Sequence, residues 1–119
     1  MSEAQTVIDE RRIARDLTAF QQNILVILSE EPIYGLAIKR ELEDYYGDEV
    51  NHGRLYPNLD DLVEMELIEK SQLDKRTNQY ALTERGRNAV LDQLAWELSK
   101  FVTEDGRADE VRELVDAQL

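Results

Sequence analysis

Asn51-His52-Gly53-Arg54-Leu55-Tyr56-Pro57-Asn58-Leu59-Asp60-Asp61-Leu62-Val63-Glu64-Met65-Glu66-Leu67-Ile68 decides how this chain folds. Leu55, Leu59, Leu62 and Val63 recur at i, i+4, i+7 and i+8, the spacing of one face of a helix. Asn51 precedes them as an N-cap, its side-chain oxygen suited to the free amides of the first turn. Pro57 lacks an N–H and its ring presses on the carbonyl four residues back, so an irregular first turn or a slight kink is expected, with Gly53 giving the backbone room. His52, Arg54, Tyr56 and Asn58 fall off the apolar stripe near the N-terminal end. Their donors and acceptors suit base edges and phosphates. The plainer alternative is an amphipathic core helix with a solvated polar face, and the flanking sequence decides between the two.

Upstream, Thr18-Ala19-Phe20-Gln21 has capping-box form. Phe20, Ile24, Leu25, Ile27 and Leu28 follow at helical spacing, and Glu30-Glu31-Pro32 is expected to end that helix. Ile33-Tyr34-Gly35 reads as a connector. Leu36, Ile38, Leu42 and Tyr45 or Tyr46 mark a second helix, stopped by Gly47 in the left-handed conformation. Two helices, a tight turn and a third helix with an exposed polar start make a helix-turn-helix.

Downstream, residues 68–73 and Gln79-Tyr80-Ala81-Leu82 read as strands joined by the polar turn Asp74-Lys75-Arg76-Thr77-Asn78. A hairpin placed there is the wing of a winged helix. Thr83 caps a further helix with Glu84 in its first turn. Val90, Leu91, Leu94, Trp96, Leu98 and Phe101 give that helix apolar residues on more than one side, a surplus that implies burial against a second chain. Asp105-Gly106 is expected to break it, leaving Val111, Leu114, Val115 and Leu119 on a short final helix.

A chain of 119 residues fits one domain with a single core. The absence of cysteine excludes disulfides, thiolate metal sites and a thiol redox switch. There is no 18-residue apolar run and no signal peptide, so a soluble cytoplasmic protein with no membrane partner is the default. Neither a Ser/His/Asp spacing, a metal-ligand cluster nor a glycine-rich phosphate loop is present, which argues against an enzyme and against any cofactor or metal. The net charge of −12 is unusual for a nucleic-acid binder, because phosphate attraction supplies most non-specific affinity. An acidic, lysine-poor surface resembles that of proteins from salt-loving organisms. In about 1 M salt the Debye length is only about 3 Å, so charges at contact distance dominate.

Tyr34-Gly35-Leu36, then Gly53-Arg54-Leu55-Tyr56-Pro57-Asn58-Leu59, then Leu67-Ile68, then Tyr80-Ala81-Leu82-Thr83-Glu84-Arg85-Gly86 together resemble the PadR-like winged-helix transcription regulators. The acidic composition points to a halophilic archaeal member. The resemblance implies a mainly α fold with a small β-hairpin: an N-terminal arm (1–17), a winged helix-turn-helix (18–86) and C-terminal dimerisation helices (87–119). It further implies a homodimer, repressor more often than activator, on a pseudo-palindromic double-stranded DNA operator. The third helix enters the major groove and the wing lies on the backbone or minor groove. Candidate DNA contacts are Asn51, His52, Arg54, Tyr56 and Asn58 of the third helix, Lys75 and Arg76 of the wing, and Tyr34, Gln21, Gln22, Lys39 and Arg40 for the backbone. Trp96 is a packing residue with a possible second role lining a ligand cavity. The competing reading is a winged helix that binds another protein and never DNA. The sequence departs from the family in its negative charge and short C-terminal region, and it names neither operator nor effector.

Overall fold

In the computed structural model, which describes residues 16–72, 74 and 77–119, local capping rules start most of the helices. Helix α1 (Ala19–Ile27) opens on a complete capping box: the Thr18 hydroxyl accepts from the Gln21 amide and the Gln21 side chain accepts from the Thr18 amide. It ends before Glu30-Glu31-Pro32. The helix is over by its C-cap Leu28, four residues ahead of Pro32, and the Ser29 hydroxyl donates to the Val26 carbonyl at 2.6 Å.

The expected connector is a strand. Ile33–Tyr34 (β1) pairs antiparallel with Asn78–Leu82 (β3), which also pairs with Ile68–Gln72 (β2), giving the order β1-β3-β2. Tyr80 sits opposite Ile33 on one side and Lys70 on the other. Helix α2 (Gly35–Tyr46) ends on Gly47 at φ 69°, the left-handed cap expected. Helix α3 (His52–Glu64) carries Pro57 in its second turn. The Asn51 side chain accepts from the Arg54 amide at 2.8 Å, as an N-cap should. Glu66, just beyond α3, also has a positive φ (63°), and the Leu67 amide reaches back to the Leu62 carbonyl.

Leu55, Leu59 and Leu62 of α3 are fully buried. They meet Ile24, Leu25 and Leu28 of the α1 region, Ile38 and Leu42 of α2, and Leu67, Ile68 and Tyr80 below them. Leu36, expected to mark a face of the second helix, does not enter this core, and neither does Val26. Val26 is 55% exposed and Leu36 is 49% exposed. Spacing alone cannot show whether a neighbour covers such a residue.

Helix α4 (Glu84–Phe101) is capped by Thr83, whose hydroxyl accepts from the Gly86 amide. The same hydroxyl lies 2.7 Å from the Glu66 carbonyl and 2.9 Å from that of Leu67. A Cβ on Gly86 would fall 2.0 Å from the Leu67 carbonyl oxygen, so only glycine permits the approach that docks α4 on the sheet. Asp105-Gly106 does not break the helix. The break is Val102-Thr103-Glu104, and Asp105 begins α5 (Asp105–Gln118), where the helix dipole favours an acid. Arg107 donates to the Phe101 carbonyl at 3.3 Å, serving one of the acceptors left at the end of α4. Helix α5 buries no residue.

Candidate nucleic-acid interface

The buried leucines of α3 fix which of its residues face outward. Gly53, Pro57, Asp60 and Glu64 recur on the opposite ridge, flanked by Asp61, and all are exposed. The first half of that ridge is therefore small and uncharged and the second half is acidic. The sequence reading takes Gly53 and Pro57 for their effect on the backbone and does not join them with the acids into one outward ridge. Their signal was available in the spacing, as the residues 180° from Leu55 and Leu59.

The expected contact residues divide between the two flanks of α3. On one flank, the Arg54 guanidinium lies 4.0 Å from the Phe20 ring centroid and 5.8 Å from that of Tyr46. Asn58 stands one turn further along. Its amide donates to the Arg54 carbonyl at 2.8 Å, and its oxygen accepts from the Gln21 side chain at 3.2 Å. Gln21 is 8% exposed and is engaged both by the capping box and by Asn58, so its place is structural support behind Asn58. Gln22 lies elsewhere, in an apolar groove of about 280 Å³ between α1 and α4 that includes Leu25, Val26, Val90 and Leu94. One residue on from Gln21 is about 100° round the helix, which carries it away from α3.

On the other flank, His52 stacks on Tyr56 with ring centroids 5.4 Å apart and planes 1° from parallel. Tyr56 leans over the start of α2, close enough that a Cβ on Gly35 would fall 3.1 Å from its hydroxyl. Tyr34, Leu36, Arg40, Tyr56, Asn78 and Tyr80 line a cleft of about 360 Å³ between α2, α3 and the wing. Tyr34 precedes α2 without a side-chain cap, leaving the first amides of that helix unserved by it. Burial, and then the nearby Asp60 and Tyr56, push the Tyr80 phenol above its ordinary pKa, so it stays protonated as a donor.

Lys39 is placed differently from expectation. Its ammonium is 3.0 Å from the Glu43 carboxylate, whose same oxygen accepts from the Val50 amide at 3.0 Å. The Val50 amide, then Lys39, hold the Glu43 carboxyl below its ordinary pKa. Lys39 thus braces the turn leading into α3. Lys75 and Arg76 of the wing, and Arg11, Arg12 and Arg15 of the arm, lie outside the described residues.

At the C-terminal end, Leu91, Leu94, Trp96, Leu98 and Phe101 are each between 42% and 50% exposed, with Leu114 and Val115 of α5 more so. Val90 differs from them, packing against the protein's own core. Trp96 lies near Lys100, whose ammonium is 5.9 Å from its ring centroid. Among the described residues no cluster of His, Asp or Glu is arranged to hold a metal ion, and no helix is long and apolar enough to cross a membrane.

Three helices, a three-stranded antiparallel sheet and a hairpin wing, with a capped third helix presenting its first turn to solvent, define a winged helix-turn-helix. The model of the transcriptional regulator PadR-like family matches residues 24–92, and the chain belongs to that family of transcription regulators. The fold is also that of RosR from H. salinarum. Its complex structure hsRosR-S4 is 65% identical, with a TM-score of 0.89 over 92% of this chain and 95% of that one. The same protein in crystals grown from NaBr is 67% identical, with a TM-score of 0.86 over 88% and 96%. PadR of Bacillus subtilis in complex with operator DNA shares the fold at 24% identity, with a TM-score of 0.57 over 65% of this chain and 47% of that one. No curated protein sequence matches the chain.

Proposed function

We propose that this protein is a cytoplasmic, non-catalytic repressor that binds double-stranded DNA as a homodimer and works in concentrated salt. Residues 18–86 form the DNA-binding unit and residues 87–119 the dimerisation helices. The observation that carries the reading is the start of α3. Its first turn is capped by Asn51, and its first two turns present Gly53 and Pro57, small enough for close approach to base edges. The polar side chains of Arg54 and His52 stand to either side. Recognition helices read bases from their N-terminal residues. Arg54 is the base-reading residue, with Asn58 behind it. Asn51, His52 and the cleft of Tyr34, Arg40 and Tyr56 receive backbone phosphates, aided by the first amides of α2. Lys75 and Arg76 supply the wing's backbone contacts.

Support for the dimer comes from the half-exposed Leu91, Leu94, Trp96, Leu98 and Phe101, too much apolar surface on one helix for a monomer to leave in water. Two copies related by a two-fold axis would place their α3 helices on half-sites one helical turn apart, about 34–36 Å, on a pseudo-palindromic operator. The bromide-grown RosR crystals and the acidic composition support the salt reading.

A second reading is favoured by one observation: the outer ridge of α3 ends in Asp60, Asp61 and Glu64, which suits a basic protein partner better than phosphates. One experiment separates the two. A duplex is selected from a random-sequence library by the wild-type protein in 2 M KCl, and binding is followed by fluorescence anisotropy. The DNA reading expects selection of a defined sequence. Arg54→Ala is then expected to weaken binding by about 1–3 kcal/mol and relax preference at one base position. Lys75→Ala with Arg76→Ala is expected to weaken all sequences about equally. Failure to enrich any sequence supports the protein-partner reading.

A further inference from the structure

We propose that Tyr46 is a positioning residue for DNA readout, acting with Phe20 as an aromatic clamp on Arg54; this rests on the reading of Arg54 as a DNA contact. Three elements build the clamp. Phe20 comes from the first turn of α1, Tyr46 from the last turn of α2 and Arg54 from the first turn of α3. The two rings lie 6.1 Å apart and within 20° of parallel. The guanidinium sits 4.0 Å from the centroid of the first and 5.8 Å from that of the second. Tyr46 is itself held: the Asn23 side-chain amide donates to its hydroxyl at 3.0 Å, and Tyr45 packs edge-on at 5.1 Å.

Stacking has a consequence that an ion pair lacks. A guanidinium presents donors at its edge and a π face above and below. Rings that occupy the face leave the edge free. The Arg54 guanidinium has no hydrogen-bond acceptor or acidic partner among the described residues, its backbone alone bonding to the Asn51 and Asn58 side chains, whereas the Lys39 and Arg112 side chains are each paired with an acid. In a chain of net charge −12 an exposed arginine would otherwise be drawn to a neighbouring carboxylate, at the cost of donors that a base edge needs. The clamp keeps Arg54 apart from the acids and reduces the side-chain freedom lost on binding. Contact stacking also persists when molar salt has screened longer-range attraction.

The test is a double-mutant cycle on the library-selected duplex in 2 M KCl. Phe20 is left intact because it belongs to the core, whereas Tyr46 is 40% exposed. Tyr46→Leu is expected to weaken specific binding about two- to fivefold, the size of an exposed cation–π contact. It should relax preference at the base position that Arg54→Ala relaxes. Tyr46→Phe, which keeps the ring and loses the Asn23 bond, is expected to bind like wild type. In the Arg54→Ala background Tyr46→Leu should change nothing. Melting temperatures and circular dichroism at the same salt report on the fold. Equal losses in both backgrounds, no loss at all, or Tyr46→Phe as damaging as Tyr46→Leu would overturn the clamp alone. An Arg54→Ala protein that binds and discriminates normally would overturn the reading of Arg54 and the clamp with it.

Discussion

At the scale of single residues, the side chains around α3 act in two ways, reaching outward or bracing what reaches outward. Glu43 is a brace. Its carboxylate joins the end of α2 to the Val50 amide and to Lys39, and these partners lower its pKa from 4.5. A carboxyl whose folded pKa is depressed stabilises the fold above its unfolded value, and that contribution disappears as pH falls through the folded value. Glu43→Gln keeps an acceptor for Val50 and removes the charge. The variant is therefore expected to melt below wild type at pH 7, with the gap closing as pH falls below about 4.5. Thermal melts in 2 M KCl across that range check it. A gap that is constant with pH would show that the charge on Glu43 plays no part. Gln21 shows where residue-level reading runs out. Its amide fits both a capping box and a phosphate contact by type, and its 8% exposure assigns it to the first.

The element scale shows why some boundaries were legible and others not. Thr18, Asn51, Thr83 and Gly47 are local signals, and each acts at the helix end its residue type implies. The stripe Leu55, Leu59, Leu62 was likewise enough to orient α3, and with it the candidate site. Strand β1 was not legible. Two residues are too few to show a period, and their partners Gln79 and Tyr80 lie more than forty positions away. The end of α4 was misplaced because Asp-Gly resembles a stop, while the β-branched Val102-Thr103 is where the backbone leaves the helix. The clamp residues Phe20 and Tyr46 were read as core and helix-face positions, since nothing local says that three elements converge on Arg54. Gly86 gives this scale a sharp test. Its missing side chain admits the Leu67 carbonyl, which also accepts from the Thr83 amide at 3.1 Å. Gly86→Ala is expected to destabilise by about 1–3 kcal/mol, as overpacking a tight junction does. Denaturant titration measures it, and an unchanged midpoint would refute the close approach.

For the whole molecule, the radius of gyration is 16.0 Å, against roughly 13.5 Å for a compact domain of this length. The difference agrees with α5 burying nothing and with α4 leaving large apolar side chains in solvent. A second copy would cover them. Leu94→Glu with Leu98→Glu is expected to yield monomers by light scattering in 2 M KCl, because the two acids would face their counterparts in an apolar seam. A persistent dimer would move the interface elsewhere.

The acidic surface makes its own demand on the molecule. Two copies of a chain at −12 approaching DNA repel it over long range, and Asp60, Asp61 and Glu64 stand on the helix that must enter the groove. Salt screens this repulsion while affecting contact-distance pairs less. Ordinary counterion release instead makes affinity fall steeply with salt. The decisive measurement is the anisotropy of the selected duplex, beside a scrambled one, from about 0.5 M to about 2 M KCl, where the Debye length is already a few Å or less. Circular dichroism confirms the fold at each point. Sequence-specific affinity is expected to hold constant or rise across the series. A steep monotonic loss in folded protein would contradict a DNA-binding face adapted to concentrated salt.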